Sequence, residues 1–145
     1  MDPYQASKKT EEICRLAPVI PVLVVHNPDI AKPLAEALIS GGLPVLEVTL
    51  RTESALDVIS EMAKIPGGVV GAGTITKAKD VKDAINAGAN FAVSPGSTDN
   101  ILEACEQQNL PILPGAATSS EIMRLFDLGY SCLLYTSPSP RDVEE

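Results

Sequence analysis

Along this chain, short runs of β-branched and other apolar residues alternate with amphipathic segments about a dozen residues long, and a polar or proline-bearing corner separates each pair. The apolar runs begin near Val19, Val45, Val69, Phe91, Pro111 and Cys132, so their starts recur every 20 to 26 residues. That recurrence predicts a repeated βα unit. The run over residues 19–25 is apolar at nearly every position, which predicts a strand buried on both faces, as parallel strands with crossover helices are.

The corners carry the residues that start and stop helices. Asn27 caps and Pro28 opens a first helix that runs to Gly41 and Gly42. Thr52 is positioned to cap the helix holding Leu56, Ile59 and Met62, and Thr118 with Glu121 has the spacing of a capping box before Ile122, Leu125 and Phe126. Gly88, Asn109 and Gly129 supply the left-handed turns that end helices. The fold class is therefore α/β, with two closures in competition: an open doubly wound sheet, or a (β/α)8 TIM barrel, which needs roughly 200 residues or more. Over residues 1–134 five βα units and the start of strand six are present, an incomplete barrel if the second closure is the one taken.

After Leu134 the pattern breaks. Tyr135-Thr136-Ser137-Pro138-Ser139-Pro140-Arg141-Asp142 has neither a helical face nor strand alternation. Residues 135–145 read as an irregular, non-native tail, because a strand is interrupted in mid-run. A disordered native C-terminus is the alternative. A partial parallel barrel leaves two unpaired edges and uncovered apolar side chains, so poor solubility is expected.

Composition narrows the partners. With 45% hydrophobic residues the 145-residue chain can build a core, and its formal net charge of −8 repels nucleic acid and anionic membrane surfaces. An anionic substrate must then be held by individual donors, which makes each arginine informative. Cys14, Cys105 and Cys132 match neither a disulfide framework nor a zinc site, and residues 1–9 are polar with no apolar leader behind them. A reduced, cytoplasmic setting is expected.

In a parallel α/β fold the chemistry sits at the carboxyl ends of the strands. At the end of the second, the two-residue strand period puts Glu47, Thr49 and Arg51 on one face, opposite Leu46, Val48 and Leu50. Two readings are open: a buried ion pair filling the barrel, or a base beside an anion clamp. A glutamate facing into an apolar interior has its pKa raised, and a guanidinium offers a planar fork to a carboxylate. Gly71-Ala72-Gly73-Thr74, Ser94-Pro95-Gly96 and Pro114-Gly115 end the next three strands. Each is either a simple corner or a place where backbone approaches ligand. His26, the single histidine, is expected to be structural or solvated, and lysines 32, 64, 77, 79 and 82 fall on helices or their flanks.

Val45-Leu46-Glu47-Val48-Thr49-Leu50-Arg51-Thr52, followed in order by Gly71-Ala72-Gly73-Thr74, Ser94-Pro95-Gly96 and Pro114-Gly115, closely resembles the 2-keto-3-deoxy-6-phosphogluconate (KDPG) and 2-keto-4-hydroxyglutarate (KHG) aldolases. The resemblance spans Ile13 to Leu133. It implies a class I aldolase on a (β/α)8 barrel, a homotrimer at full length, with no metal or other cofactor, forming a Schiff base between a lysine and the keto carbon. Its substrates are keto acids: KDPG, cleaved to pyruvate and glyceraldehyde 3-phosphate, and KHG, cleaved to pyruvate and glyoxylate. Glu47 matches the family's proton-shuttling glutamate, Arg51 and Thr74 match residues that hold the pyruvate carboxylate, and Pro95 matches a proline lining that pocket. The lysine position is occupied by Leu134, which cannot form an imine, and the family's phosphate-binding glycines and serine belong to barrel units beyond those seen here. The resemblance therefore implies an aldolase inactive as written. A non-catalytic keto-acid-binding or inert fragment is the alternative, and another phosphate-handling barrel, an isomerase or a thiamin phosphate synthase relative, is disfavoured by the Glu47, Arg51 and Thr74 set.

Overall fold

In the computed structural model, which describes residues 1–136, six strands pair in parallel in strict chain order, β1 to β6. These are β1 (Val22–Leu23), β2 (Val45–Thr49), β3 (Val69–Gly73), β4 (Phe91–Ser94), β5 (Ile112–Ala116) and β6 (Leu134–Tyr135). Helices α2 (Ala31–Ser40), α3 (Ala55–Ala63), α4 (Ala78–Ala87), α5 (Asp99–Gln107) and α6 (Ser119–Leu128) make the crossovers. A doubly wound sheet reverses its strand order at a switch point; here the order never reverses, so every crossover adds a strand on the same side and the sheet curls. Val22 of β1, Phe91 of β4 and Leu134 of β6 line one cavity. The architecture is a TIM-type (β/α) barrel left incomplete.

The pleat sorts the core into two layers. Leu46, Val48, Val70, Ala72, Ala92 and Ile112 face outward and pack against Val58, Ile59 and Met62 of α3, Val81 and Ala84 of α4, and Ile101 and Leu102 of α5. Leu46, Ile59 and Met62 are fully buried, each worth about 1.5–3 kcal/mol relative to exposure. Inside the curl, a smaller cluster joins Val45, Phe91 and Val93 to Ile13.

Several expected boundaries hold. Strands begin at Val45, Val69 and Phe91, Asn27 Oδ1 caps the 3-10 turn Pro28–Ile30 that leads into α2, and the Thr118–Glu121 capping box opens α6. Gly88, Gly129 and Asn109 take the left-handed conformation. Others move. The first strand begins three residues later than expected and pairs over two residues only, with Val19, Val22 and Val24 exposed rather than buried on both faces, because no strand covers its far edge among the described residues. Thr52 does not cap α3. Ser54 holds the N-cap position without a side-chain bond, while Thr52 Oγ1 donates to the Val25 carbonyl at 2.9 Å and ties the loop back to the segment that follows β1.

The N-terminal segment, read above only as polar, is helix α1 (Pro3–Cys14). Asp2 and Gln5 form a capping box around Pro3, and Ala6, Ser7, Thr10 and Ile13 make its buried face. At the other end, Tyr135 pairs with Ala116 and the Thr136 N–H donates to the Ala116 carbonyl, so the ladder continues past Leu134 into the first residues of the segment read as a tail. Residues 137–145 of that tail lie outside the described residues.

Candidate active site

Register places Glu47 inside the curl. Val22, Glu47, Gly71 and Phe91 are successive partners across β1 to β4, and partners in a parallel ladder present their side chains to the same face. Around the Glu47 side chain lies a cavity of about 180 Å³ bounded by Ile13, Val22, Phe91, Val93, Leu113 and Leu134. The glycines of β3 make the room. A Cβ on Gly73 would stand 2.1 Å from Glu47 Oε1, and one on Gly71 would stand 2.3 Å from the Phe91 ring. Gly71 and Gly73 are thus small because side chains from the neighbouring strands lie over them, beyond any part they play in the corner.

The lumen is mostly apolar: besides this carboxyl, only Thr10 and Cys14 bring polar atoms to the residues that line it. Glu47 is half-buried, and burial pushes its pKa above the usual carboxylate range, while the positive charge of Arg51 partly opposes the shift. A carboxyl that holds its proton more tightly than usual, with a cation near enough to ease ionisation, is suited to accepting and returning a proton.

Arg51 reaches this position differently from the simple strand alternation expected of it. The strand ends at Thr49; the Leu50 N–H still donates to the Gly73 carbonyl at 2.9 Å, but Arg51 lies in the turn beyond and is exposed. A buried Glu47–Arg51 ion pair filling the barrel is therefore not what forms. Thr49 remains on the strand, buried, and its Oγ1 donates to the Leu23 carbonyl at 3.2 Å.

Thr74 follows β3 directly and adopts a left-handed conformation with φ of 60°. For a β-branched residue that costs on the order of 1 kcal/mol, and such strain concentrates where backbone is held for a function. Pro95 is exposed at the end of β4, its carbonyl 2.4 Å from where a Cβ on Gly115 would lie. Gly115 is thus required by the close approach of two strand ends. The four residues singled out from the sequence fall at the carboxyl ends of β2, β3 and β4 or, for Glu47, inside the lumen beneath them.

The lumen-lining partners Ile13, Phe91, Val93 and Leu113 were not singled out. For the strand residues the signal is parity from Glu47, but it becomes usable only with the inter-strand register. Leu134 lines the same cavity as Glu47, and among the described residues no lysine does. Lysines 32, 64, 77, 79 and 82 are exposed on helices or their caps. The His26 side chain is exposed as well, and its carbonyl accepts a bond from Ser54 Oγ at 2.9 Å. Among the described residues no group of three or more His, Cys, Asp or Glu side chains is placed to hold a metal ion, and no helix is long and apolar enough to cross a membrane.

Comparison with known proteins places this geometry. A model of the KDPG and KHG aldolases matches residues 10–139. The 2-dehydro-3-deoxy-phosphogluconate aldolase of Zymomonas mobilis is 50% identical over 119 residues, which is 82% of this chain and 57% of that protein. That of Pseudoalteromonas atlantica is 47% identical over 123 residues, 84% of this chain and 57% of the relative. The chain thus spans a little over half the length of the curated relatives it matches. Among solved structures, the Zymomonas mobilis 2-keto-3-deoxy-6-phosphogluconate aldolase superposes with a TM-score of 0.84 at 47% identity, covering 87% of this chain and 61% of that one. The Legionella pneumophila KDPG aldolase, captured with pyruvate as a covalent carbinolamine intermediate, superposes with a TM-score of 0.76 at 43% identity, covering 79% and 56%. With a family model matching most of its length and the lumen carboxylate standing in a parallel (β/α) sheet, the chain belongs to the KDPG and KHG aldolase family.

Proposed function

We propose that this barrel handles short 2-keto acids with Glu47 as the proton shuttle, Arg51 and Thr74 as the carboxylate clamp and Pro95 as part of the pocket wall. The activity of the complete protein is then that of a class I aldolase, cleaving KDPG to pyruvate and glyceraldehyde 3-phosphate and KHG to pyruvate and glyoxylate, in the cytoplasm and as a homotrimer. The observation that carries this reading is the half-buried Glu47, the one carboxyl among the residues that line a mostly apolar lumen, its raised pKa tempered by Arg51. A carbanion adjacent to a carbonyl needs a group that gives and takes a proton without bulk water, and a desolvated carboxyl meets that need. Arg51, exposed at the rim of the strand ends, offers the planar fork that a keto acid's carboxylate accepts.

In this reading Leu134 occupies the Schiff-base position. An alkyl side chain there cannot add to a keto carbon, so the chain binds its ligand without cleaving it. Calorimetry with pyruvate, run beside borohydride reduction and intact-mass measurement, tests both halves. Binding that is lost in Arg51→Ala, with no covalent adduct, is the expected result. A reduced adduct at any lysine would refute the inactive reading, and unchanged binding in Arg51→Ala would refute the clamp. Complete absence of heat would favour an inert fragment.

A further inference from the structure

The backbone ladder between β1 and β2 is short. Its register ends with Leu23 against Val48, and the Glu47 N–H donates to the Pro21 carbonyl at 3.1 Å. Beyond Val48, side chains take over. Thr49 Oγ1 donates to the Leu23 carbonyl at 3.2 Å, Thr52 Oγ1 to the Val25 carbonyl at 2.9 Å, and Ser54 Oγ to the His26 carbonyl at 2.9 Å. All three donors stand on the β2 side, and all three acceptors are main-chain carbonyls at the end of β1 or just after it. A row of hydroxyls thus holds the two segments together past the last backbone pair.

Arg51 sits inside this row, between Thr49 and Thr52. On its other side the Leu50 N–H fastens the same loop to β3 through the Gly73 carbonyl, and the Thr52 carbonyl accepts the Ala55 N–H at 3.3 Å, joining the loop to the first turn of α3. The Arg51 side chain itself is exposed. Where its guanidinium can stand is therefore set by the backbone that carries it. On an unfastened loop the ligand would have to order both backbone and side chain, and that cost would be subtracted from affinity.

We propose that Thr52 and Ser54, with Thr49 at the strand end, are positioning residues that hold the Arg51 loop where its guanidinium meets a keto acid's carboxylate. The inference rests on the reading of Arg51 as the clamp. Short hydroxyl side chains suit the task, because a carbonyl that has left the ladder needs a donor and a short side chain loses little rotamer freedom in supplying one. Thr52 adjoins Arg51, and its bond to Val25 is partly buried. Ser54 stands at the N-cap of α3 without capping it, so its hydroxyl serves His26 instead.

Thr52→Val keeps the branched shape and removes the donor, while Thr52→Ser keeps the donor. Both are compared with the native chain by calorimetry with pyruvate and with pyruvamide, which carries the keto group without the carboxylate, and by amide hydrogen exchange without ligand. Thr52→Val is expected to weaken pyruvate binding about three- to tenfold, the worth of one hydrogen bond, and to leave pyruvamide unaffected. Exchange should quicken at Leu50 and Ala55 while Val69 and Val70, bonded at the far end of β3, keep their protection. Thr52→Ser should restore both readouts. If Thr52→Val fails to fold, Ser54→Ala, which removes an exposed bond, gives the same pattern at smaller size. The proposal is overturned if pyruvate and pyruvamide weaken together, or if exchange at Leu50 and Ala55 stays as in the native chain. Pyruvate giving no heat with the native chain would refute the clamp itself, and exchange at those two amides would then decide alone whether the hydroxyls hold the loop.

Discussion

On the outside of the sheet, Leu46, Val48, Val70, Ala72 and Ile112 are buried to within a few hundredths of completeness, whereas on the inside Val22 and Val24, residues of the same kind, are 59% and 47% exposed. The difference lies in what each surface needs in order to be covered. An outward side chain is covered by the helix that follows its own strand and by the helices beside it, so each βα unit supplies its own roof. An inward side chain is covered only by strands across the lumen and by whatever plugs the floor. Ile13 of α1 supplies that plug beneath Val45, Phe91 and Val93, but the face of β1 looks into an opening. Structure in this barrel is built unit by unit, while the site depends on closure.

Deleting an apolar side chain from each layer should separate the two surfaces most widely. Leu46→Ala, at a fully buried outer position, is expected to cost about 3 kcal/mol by lost transfer energy and cavity formation. Val22→Ala, on the open lumen face, is expected to stay within about 0.5 kcal/mol. Urea midpoints at unchanged slope measure both. Equal losses would mean that the lumen is as well packed as the outer layer.

The glycines sharpen it further, because they separate packing against backbone from packing against a functional side chain. In Gly115→Ala the new Cβ meets the Ser94 and Pro95 carbonyl oxygens at 2.4 Å, and backbone at two strand ends cannot step aside. A loss of about 2–3 kcal/mol is expected. In Gly73→Ala the three atoms nearest the new Cβ all belong to the Glu47 side chain, which can rotate away, so the loss is expected to be about 1 kcal/mol or less. The second substitution should instead abolish pyruvate binding in calorimetry, since it displaces the carboxyl. A Gly73→Ala protein that binds as before would detach Glu47 from the site.

What could be read before any coordinates follows the same division. Val45, Val69 and Phe91 were recognisable as strand starts because their strands are buried on both faces and flanked by helix caps, all of it local information. Thr118 with Glu121, Gly88 and Gly129 declared their helix ends for the same reason. Parallel topology narrowed the search to the strand ends, where Thr74 and Pro95 lie, and the family resemblance then singled out these two together with Glu47, whose side chain the register carries into the lumen. No element was assigned to residues 1–9, although Asp2, Pro3 and Gln5 carry a capping box and Ala6, Thr10 and Ile13 make a buried face, since their polarity was read only for the absence of an apolar leader. Arg51 was assigned by an alternation that ends at Thr49, and Thr52 was given to a helix when its hydroxyl bonds the segment just after β1.

The smallest expected effect reaches furthest into the lumen. Burial raises the Glu47 pKa in the folded state, with Arg51 pulling in the opposite direction. Between the ordinary carboxylate range and that raised value the folded chain therefore binds more protons than the unfolded one, and stability must fall as pH rises through the window. Glu47→Gln keeps the shape of the side chain and removes the titration. Its urea midpoint should match the native chain below the window and exceed it above, so the two profiles diverge toward neutral pH. Arg51→Ala alone should widen the divergence, because the one cation opposing the shift is gone; combined with Glu47→Gln it should leave the pH profile flat through the window, because there is no longer a charge for it to act on. Parallel profiles for the native chain and Glu47→Gln would mean that the carboxyl is as well hydrated as one on the surface. The open edge at β1 would then have flooded the lumen, and the contrast between the two faces would be one of wetness rather than of packing.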